Sequence, residues 1–321
     1  MSTFDFSGLT PDLILDAIES QDILVESGLL ALNSYENRVY QFVAEDKKRY
    51  VAKFYRPQRW SQAQIQEEHD FSIELASHEI PVVAPLVINK QSLHVYNDFY
   101  FALFPSVGGR QFEVDNLNQV EWMGRFIGRI HAVSKSADFV HRPIISVNEY
   151  LITPLQELQN SPLIPSSLHQ AFFTILQQVV DLALPLYTST NNIRLHGDCH
   201  PGNILWRDGP TFVDLDDCRS GPAIQDLWMM LSGDRHQQFI QMDTLVEAYE
   251  EFCDFDSTQL ALIEPLRAMR MVHYMAWLAR RWQDPAFPQA FPWFADGKYW
   301  EQQILGLKEQ LSALQEPPLT L

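Results

Sequence analysis

The sequence predicts an α+β fold of two lobes, a small antiparallel β lobe over residues 1–107 and a larger, mainly helical lobe over residues 108–321. Three observations lead there. Stretches rich in β-branched and aromatic residues dominate the first hundred positions. A glycine pair, Gly108–Gly109, follows the last of them. Helical periodicity then runs through most of the remainder, interrupted by one β-rich patch at 193–217.

The elements follow in order. Residues 29–43 (LLALNSYENRVYQFV) and 49–55 (RYVAKFY) flank the charged turn AEDKK and read as a hairpin. Ser61 with Gln64 forms a capping box that opens a helix carrying Ile65, Phe71 and Leu75 on one face. PVVAPLVI (81–88) and FYFALF (99–104) read as two further strands. Helices are expected near 115–135, 165–187, 222–232, 240–253 and 259–282. The β patch comprises IRLHGD (193–198), NILW (203–206) and TFVDLDD (211–217). A β lobe joined by a glycine-containing crossover to a helical lobe suits a ligand held between them.

Composition narrows the function. The 321 residues are 46% hydrophobic and 12% aromatic, enough for a sizeable core, which excludes a disordered chain. Lys and Arg number 23 against 41 Asp and Glu, a net charge of −18. Such a surface repels nucleic-acid backbones and anionic membranes, yet leaves room for a local basic site holding one nucleotide. No apolar run approaches the roughly 18 residues of a membrane span. The start, MSTFDFSGLTPDLI, lacks the regions of a signal peptide. Cys199, Cys218 and Cys253 are too few and odd in number for a disulfide framework. A cytoplasmic, soluble protein is expected, and a monomer, since no exposed heptad or edge-pairing strand stands out.

The chemistry concentrates in LHGDCHPGNILWRDGPTFVDLDD (195–217). Asn203 stands five residues after Asp198, and Asp214 sixteen after it. Asp198 falls in a loop leaving one strand, Asn203 at the start of the next, and Asp214 on its hairpin partner. Phosphoryl transfer needs this set: one carboxylate to orient an acceptor hydroxyl and take its proton, an amide oxygen and a second carboxylate to hold Mg²⁺. A zinc site built from His196, Cys199, His200 and Cys218 matches no ordinary spacing and leaves the Asp–Asn–Asp set unexplained. Asp214 sits in the pattern apolar–apolar–Asp–apolar–acid, and Asp216 shares its face as a candidate for a second metal or the acceptor; Asp217 fits least. The H-G-D-x-x-x-x-N motif resembles the aminoglycoside/choline phosphotransferase branch of the protein-kinase-like fold.

A kinase-like fold asks for a lysine on its third strand, and Val51-Ala52-Lys53 supplies one. Val51 shares the Lys53 face, placed to cover an adenine while Lys53 reaches the phosphates. On the next helix Glu68 shares the buried stripe of Phe71 and Leu75 and is the partner expected for Lys53, whereas Glu67 aligns with the wet face. The phosphate loop falls in Leu32–Tyr40, where backbone amides, Ser34 and Asn37 are candidate contacts; it contains no glycine. The crossover from Phe104 through Ser106 to Gly109 is the expected hinge for the base. Asp226 matches a position that braces the catalytic loop.

LNSYENRVYQF, KFYRPQRW, FPSVGGRQFE, IEPLRAMR and DPAFPQAFPW extend the likeness over about residues 30–319, and the chain resembles a family of bacterial stress response kinases. The resemblance implies a cytoplasmic serine/threonine protein kinase using ATP and Mg²⁺, linked to envelope stress and to countering toxin–antitoxin-driven cell death. It also implies Asp198 as base, Asn203 and Asp214 as magnesium ligands, Lys53 as phosphate-binding lysine and Ser34 as a nucleotide contact. Two alternatives stand beside it. A small-molecule kinase for a cationic alcohol would draw on carboxylates such as Glu264, Asp284 and Asp296. A nucleotide-binding scaffold would use helix 265–282 as a partner surface. Cys199, next to Asp198, is a candidate redox brake.

Overall fold

The computed structural model describes residues 6–188 and 191–321; residues 1–5, part of the stretch read for a targeting signal, lie outside the described residues. The chain opens on a helix that the sequence reading did not include, α1 (Pro11–Glu19), capped by the Thr10 hydroxyl. Its Ile14, Ala17 and Ile18 pack with Phe42, Phe54, Phe101 and Leu103 into a small core of their own. That core lies against an antiparallel sheet ordered β1-β2-β3-β5-β4, formed by β1 (Leu30–Ala31), β2 (Arg38–Val43), β3 (Arg49–Phe54), β4 (His94–Tyr96) and β5 (Phe99–Pro105). Val51 pairs with Phe104 and Lys53 with Ala102 across β3 and β5. Between β3 and β4 runs α2 (Gln62–Ser77), started by the expected Ser61–Gln64 capping box.

Residues 81–88 do not form a strand of this sheet. Pro81 and Pro85 remove two ladder donors. The segment instead stitches the two lobes together: Val83 N donates to Phe212 O at 2.9 Å, Phe212 N to Pro81 O at 2.8 Å and Leu86 N to Leu103 O at 2.7 Å.

In the second lobe α3 (Leu117–Ser134), α4 (Thr153–Gln159), α5 (His169–Leu186), α6 (Ile224–Trp228), α7 (Arg235–Tyr249), α8 (Ile263–Arg281), α9 (Ala286–Ala290) and α10 (Gly297–Ala313) surround one large core. Helix α7 begins five residues before the expected 240 because Asp234 and Gln237 form a second capping box. Helix α8 buries Leu266, Met269, Val272 and Met275, so it serves the core rather than an open partner surface. The β patch divides: β7 (Ile193–Leu195) pairs with β10 (Arg219–Gly221), while β6 (Arg110–Gln111), β8 (Ile204–Trp206) and β9 (Pro210–Phe212) form a separate three-stranded sheet. The loops after β7 and β9 therefore open side by side beneath the first lobe. Among the described residues no helix is long and apolar enough to cross a membrane.

Candidate active site

The loop after β7 carries His196, Gly197 and Asp198, and backbone bonds fix its course. Asp226, in the first turn of α6, accepts from His196 N at 2.8 Å and Gly197 N at 2.9 Å. This is the bracing role expected of it, supported from behind by His131 at 3.1 Å. Gly197 has φ +84°, and a Cβ there would collide with the Asp217 carbonyl, so only glycine fits between His196 and Asp198. His196 Nε2 lies 3.0 Å from Val213 O, tying this loop to the one after β9.

Asn203 closes a 3-10 turn (Pro201–Asn203) just ahead of β8, rather than beginning the strand. Its Nδ2 donates to Asp198 O at 3.0 Å, which leaves the amide oxygen for a ligand. Asp214 is not on a strand either. It lies two residues beyond β9 in the left-handed region, φ 60° and ψ 66°, a conformation Asp tolerates better than most residues. The reversal turns its half-exposed carboxylate into the cleft.

Lys53 holds the centre. Its Nζ lies 3.3 Å from Glu68 Oε1, 3.2 Å from Asp214 Oδ1 and 3.0 Å from Asp216 Oδ1. Burial would lower the Lys53 pKa, but Asp216 and Glu68 outweigh it and hold the ammonium charged well above its ordinary range. For Glu68 burial dominates over the attraction of Lys53, and its pKa is raised to about 7. Glu67, expected to be free surface charge, instead accepts the N–H groups of Val140, His141 and Arg142 at 2.6–2.8 Å and anchors that loop. Asp216 is buried beside Lys53 and Arg59; burial opposes ionisation, but these two cations keep the carboxyl below the usual range. It therefore faces the lysine and not an acceptor.

Above the Asp198–Asn203 bond a cavity of about 390 Å³ opens between the lobes. Ser34 from the hairpin tip, Val51, Lys53 and Phe104 from the sheet, and Asn203 and Asp214 from the lower lobe line it. Asn37 and Ser106, both expected there, stand elsewhere. Asn37 is buried, its Oδ1 accepting from Arg56 N at 3.0 Å to hold the turn. Ser106 accepts from Gln41 Nε2 at 2.7 Å and donates its N–H to Arg49 O, while its neighbours Pro105 and Val107 reach the cavity. Both misplacements follow from side-chain partners distant in sequence.

On the other side of Asp198 a second cavity, of about 250 Å³, is walled by Tyr150, His273, Trp277, Arg59, Arg219 and Arg270. The sequence reading named none of the three arginines. Arg270 Nη1 lies 2.5 Å from Asp198 Oδ1 and His200 Nε2 lies 3.3 Å from Oδ2. Burial would raise the Asp198 pKa, but Arg270 and His200 overcome it and hold the carboxyl well below its usual range. The glycine-free hairpin tip is clasped to the lower lobe. Glu36 accepts from Trp277 Nε1 and Arg281 Nη2, each at 2.6 Å, and Asp284 binds Arg38 at 2.9 Å and Arg56 at 2.7 Å. These partners are more than 200 residues apart; only the Arg280–Arg281 pair ending α8 hinted at a receptor for them.

The carboxylates considered for a cationic acceptor are engaged elsewhere. Asp284 serves the clasp, Glu264 meets Arg267 and Gln310, and Asp296 caps α10. Cys199 is buried with its thiol pushed well above the ordinary value, chiefly by burial, and Cys218 and Cys253 are buried and free. Among the described residues no group of three or more His, Cys, Asp or Glu side chains is placed to hold a metal ion alone, which leaves no zinc cluster around His196 and Cys199.

A cleft cavity under a twisted sheet, with a second cavity across the Asp198–Asn203 bond, is the plan of an enzyme that moves a phosphoryl group to an alcohol. The chain belongs to the phosphotransferase enzyme family, whose model matches residues 29–263. It is 55% identical over 321 residues to Stress response kinase A of Escherichia coli O157:H7, covering 100% of this chain and 98% of that protein. It is 53% identical, at the same coverage, to the serine/threonine protein kinase RdoA of Salmonella typhimurium strain LT2. Among solved structures, the amicoumacin kinase hAmiN in complex with AMP-PNP, Ca²⁺ and Ami superposes with a TM-score of 0.73 at 18% identity, over 99% of this chain and 96% of that one. The microcompartment-associated aminopropanol kinase follows at 0.72 and 17%, over 96% and 99%. At such identities these two speak for the fold, which is the two-lobed, protein-kinase-like fold of the aminoglycoside phosphotransferases.

Proposed function

We propose that this chain is an ATP- and Mg²⁺-dependent serine/threonine protein kinase. The carrying observation is the convergence of Lys53, Asn203 and Asp214 on one cavity while Asp198 faces the next. In this reading the adenine packs against the face that Val51 and Phe104 share, the phosphates run past Ser34 toward Lys53, and residues 1–107 and 108–321 act as the two lobes. The free oxygen of Asn203 and the carboxylate of Asp214 are hard donors of the kind Mg²⁺ prefers, and they fit a site that nucleotide phosphates and water complete. Bound there, the ion would neutralise charge on the transferring phosphoryl group. Asp198 orients the acceptor hydroxyl and takes its proton. The acceptor oxygen bonds to the γ-phosphorus, the bond to the β-phosphate oxygen breaks, and ADP leaves.

The names of the 53–55% identical relatives support a protein acceptor and a role in a bacterial stress response. The proposal extends to a cytoplasmic monomer that counters toxin–antitoxin-driven cell death, which is what the family resemblance implies. Labelled ATP offered with a general protein substrate, or with aminoglycosides, choline and homoserine, tests the reading. Label on Ser or Thr that vanishes in Asp198→Ala is the expected result. Asp198-dependent label on a small alcohol alone would replace the protein acceptor with that alcohol, and ATP binding with no transfer would leave a scaffold.

A further inference from the structure

The wall of the acceptor cavity is charged against the trend of the molecule. Carboxylates outnumber lysine and arginine 41 to 23 over the chain, yet this wall sets Arg59, Arg219 and Arg270 against Asp198 and Asp217. Two of the arginines are fully engaged. Arg59 pairs with Asp216 and, at 2.7 Å, with Asp217. Arg219 donates to the Asp217 carbonyl and carboxylate and to Glu149, at 2.9–3.1 Å.

Arg270 differs. Its single hydrogen bond to the described residues runs from Nη1 to Asp198 Oδ1, and its side chain is 41% exposed. A guanidinium carries five N–H donors in a planar fork, so the Nε and Nη2 edge remains for a ligand. Nothing in the cavity wall answers a cationic acceptor in the same way. Asp217 is shared by two arginines, Asp198 is the hydroxyl-facing carboxylate, and Glu264, Asp284 and Asp296 are spent outside it.

We infer that Arg270 determines acceptor specificity by selecting a hydroxyl accompanied by an anionic group, a Ser or Thr flanked by a carboxylate or a phosphoryl group. The inference rests on the protein-kinase reading of this site. One guanidinium then bridges the carboxylate that receives the proton and the anion that identifies the acceptor, so binding the anion sets the hydroxyl beside Asp198. The reach of the fork plus two hydrogen bonds limits the anion to within about two residues of the hydroxyl. Both anions share the required chemistry, a planar or tripodal set of oxygens that takes a bidentate guanidinium.

The test uses the full chain and sets of Ser and Thr peptides identical except for a neighbour that is Glu, phosphoserine, Gln or Lys. Transfer from labelled ATP and direct binding, followed by protein fluorescence with a non-hydrolysable ATP analogue present, are both measured. The wild type is expected to favour the anionic neighbours over Gln by about tenfold or more, the scale of one charge-assisted bidentate contact. Glu against phosphoserine tells which anion is preferred. Arg270→Gln should erase the preference, and Arg270→Glu should turn it toward Lys. Equal use of all neighbours by the wild type, or a preference that survives Arg270→Gln, overturns the inference. So does a loss in Arg270→Gln that is equal on every peptide and accompanied by a raised KM for ATP, since the arginine would then serve the nucleotide. If no peptide accepts label, the protein-kinase reading fails, and the binding series still decides what Arg270 recognises.

Discussion

In the cavity beneath the sheet, Val51, Lys53 and Phe104 project from adjacent strands, each placed by the register of β3 and β5. In the second cavity, beside Asp198, Arg59, Arg219 and Arg270 come from three separate elements and are held by carboxylates 158, 70 and 72 residues away. Backbone hydrogen bonds build the first wall and ion pairs build the second. Substitution therefore acts differently on them. A changed side chain in the ladder leaves the wall standing, whereas removing one charge on the other side frees a partner and disturbs the next contact.

The largest test of this contrast is Asp198→Ala. It removes the proposed proton acceptor and leaves Arg270 without its partner, and transfer should fall by about 10²- to 10⁴-fold while ATP still binds. A loss of ATP binding in the same titration would mean that the two walls are not independent. Next comes Lys53→Met, the exception within the ladder wall because its ammonium neutralises buried Glu68 and Asp216. Stranding Glu68 and leaving Asp216 to Arg59 should cost about 3–5 kcal/mol in urea unfolding, in addition to the loss of the proposed phosphate contact. An unchanged urea midpoint would show that the buried charges find other partners.

The hairpin clasp gives a smaller effect with a defined pH signature. Burial opposes ionisation of Glu36, but Arg59, Arg281 and Arg56 together hold its carboxyl below the ordinary 4.5. A depressed folded pKa contributes stability above the unfolded value and loses it as pH falls through the folded one. Glu36→Gln should thus be less stable than wild type at neutral pH by about 1–3 kcal/mol, with the gap closing below pH 4.5. Thermal unfolding at a series of pH values reads this directly, and a gap independent of pH would remove the charge from the explanation. The smallest expected effect is at Cys199. Its buried thiol, held protonated, should ignore peroxide, so treated and untreated enzyme should transfer phosphate at the same rate. A rate that falls with oxidation of this residue would restore the redox brake.

What could be read in advance follows the same division. Asp198, Asn203, Asp214, Lys53 and Glu68 lie in short motifs or on one helix face, where spacing alone sets their relations. The left-handed turn at Asp214 leaves no local mark, because Val213 and Leu215 on either side look like strand residues. Pro81 and Pro85 were signals against a strand at 81–88 that its apolar run concealed. Asn37 and Ser106 have the residue types a nucleotide loop and hinge would use, yet Arg56 and Gln41 claim their polar atoms. Arg270 gave no local sign, for one basic residue on an amphipathic helix looks like solvated charge until the fold brings Asp198 against it.

The clasp between Glu36, Arg38 and the end of α8 also has a consequence in time. The hairpin tip beside Ser34 cannot lift away from the lower lobe until the Glu36–Arg281 and Arg38–Asp284 pairs part. Where glycine-rich loops are loosened by backbone freedom, this one is loosened by breaking charges. Lifting of the tip to release a nucleotide should then be paced by the parting of those pairs, and because they are largely buried, moderate salt should change that pace little.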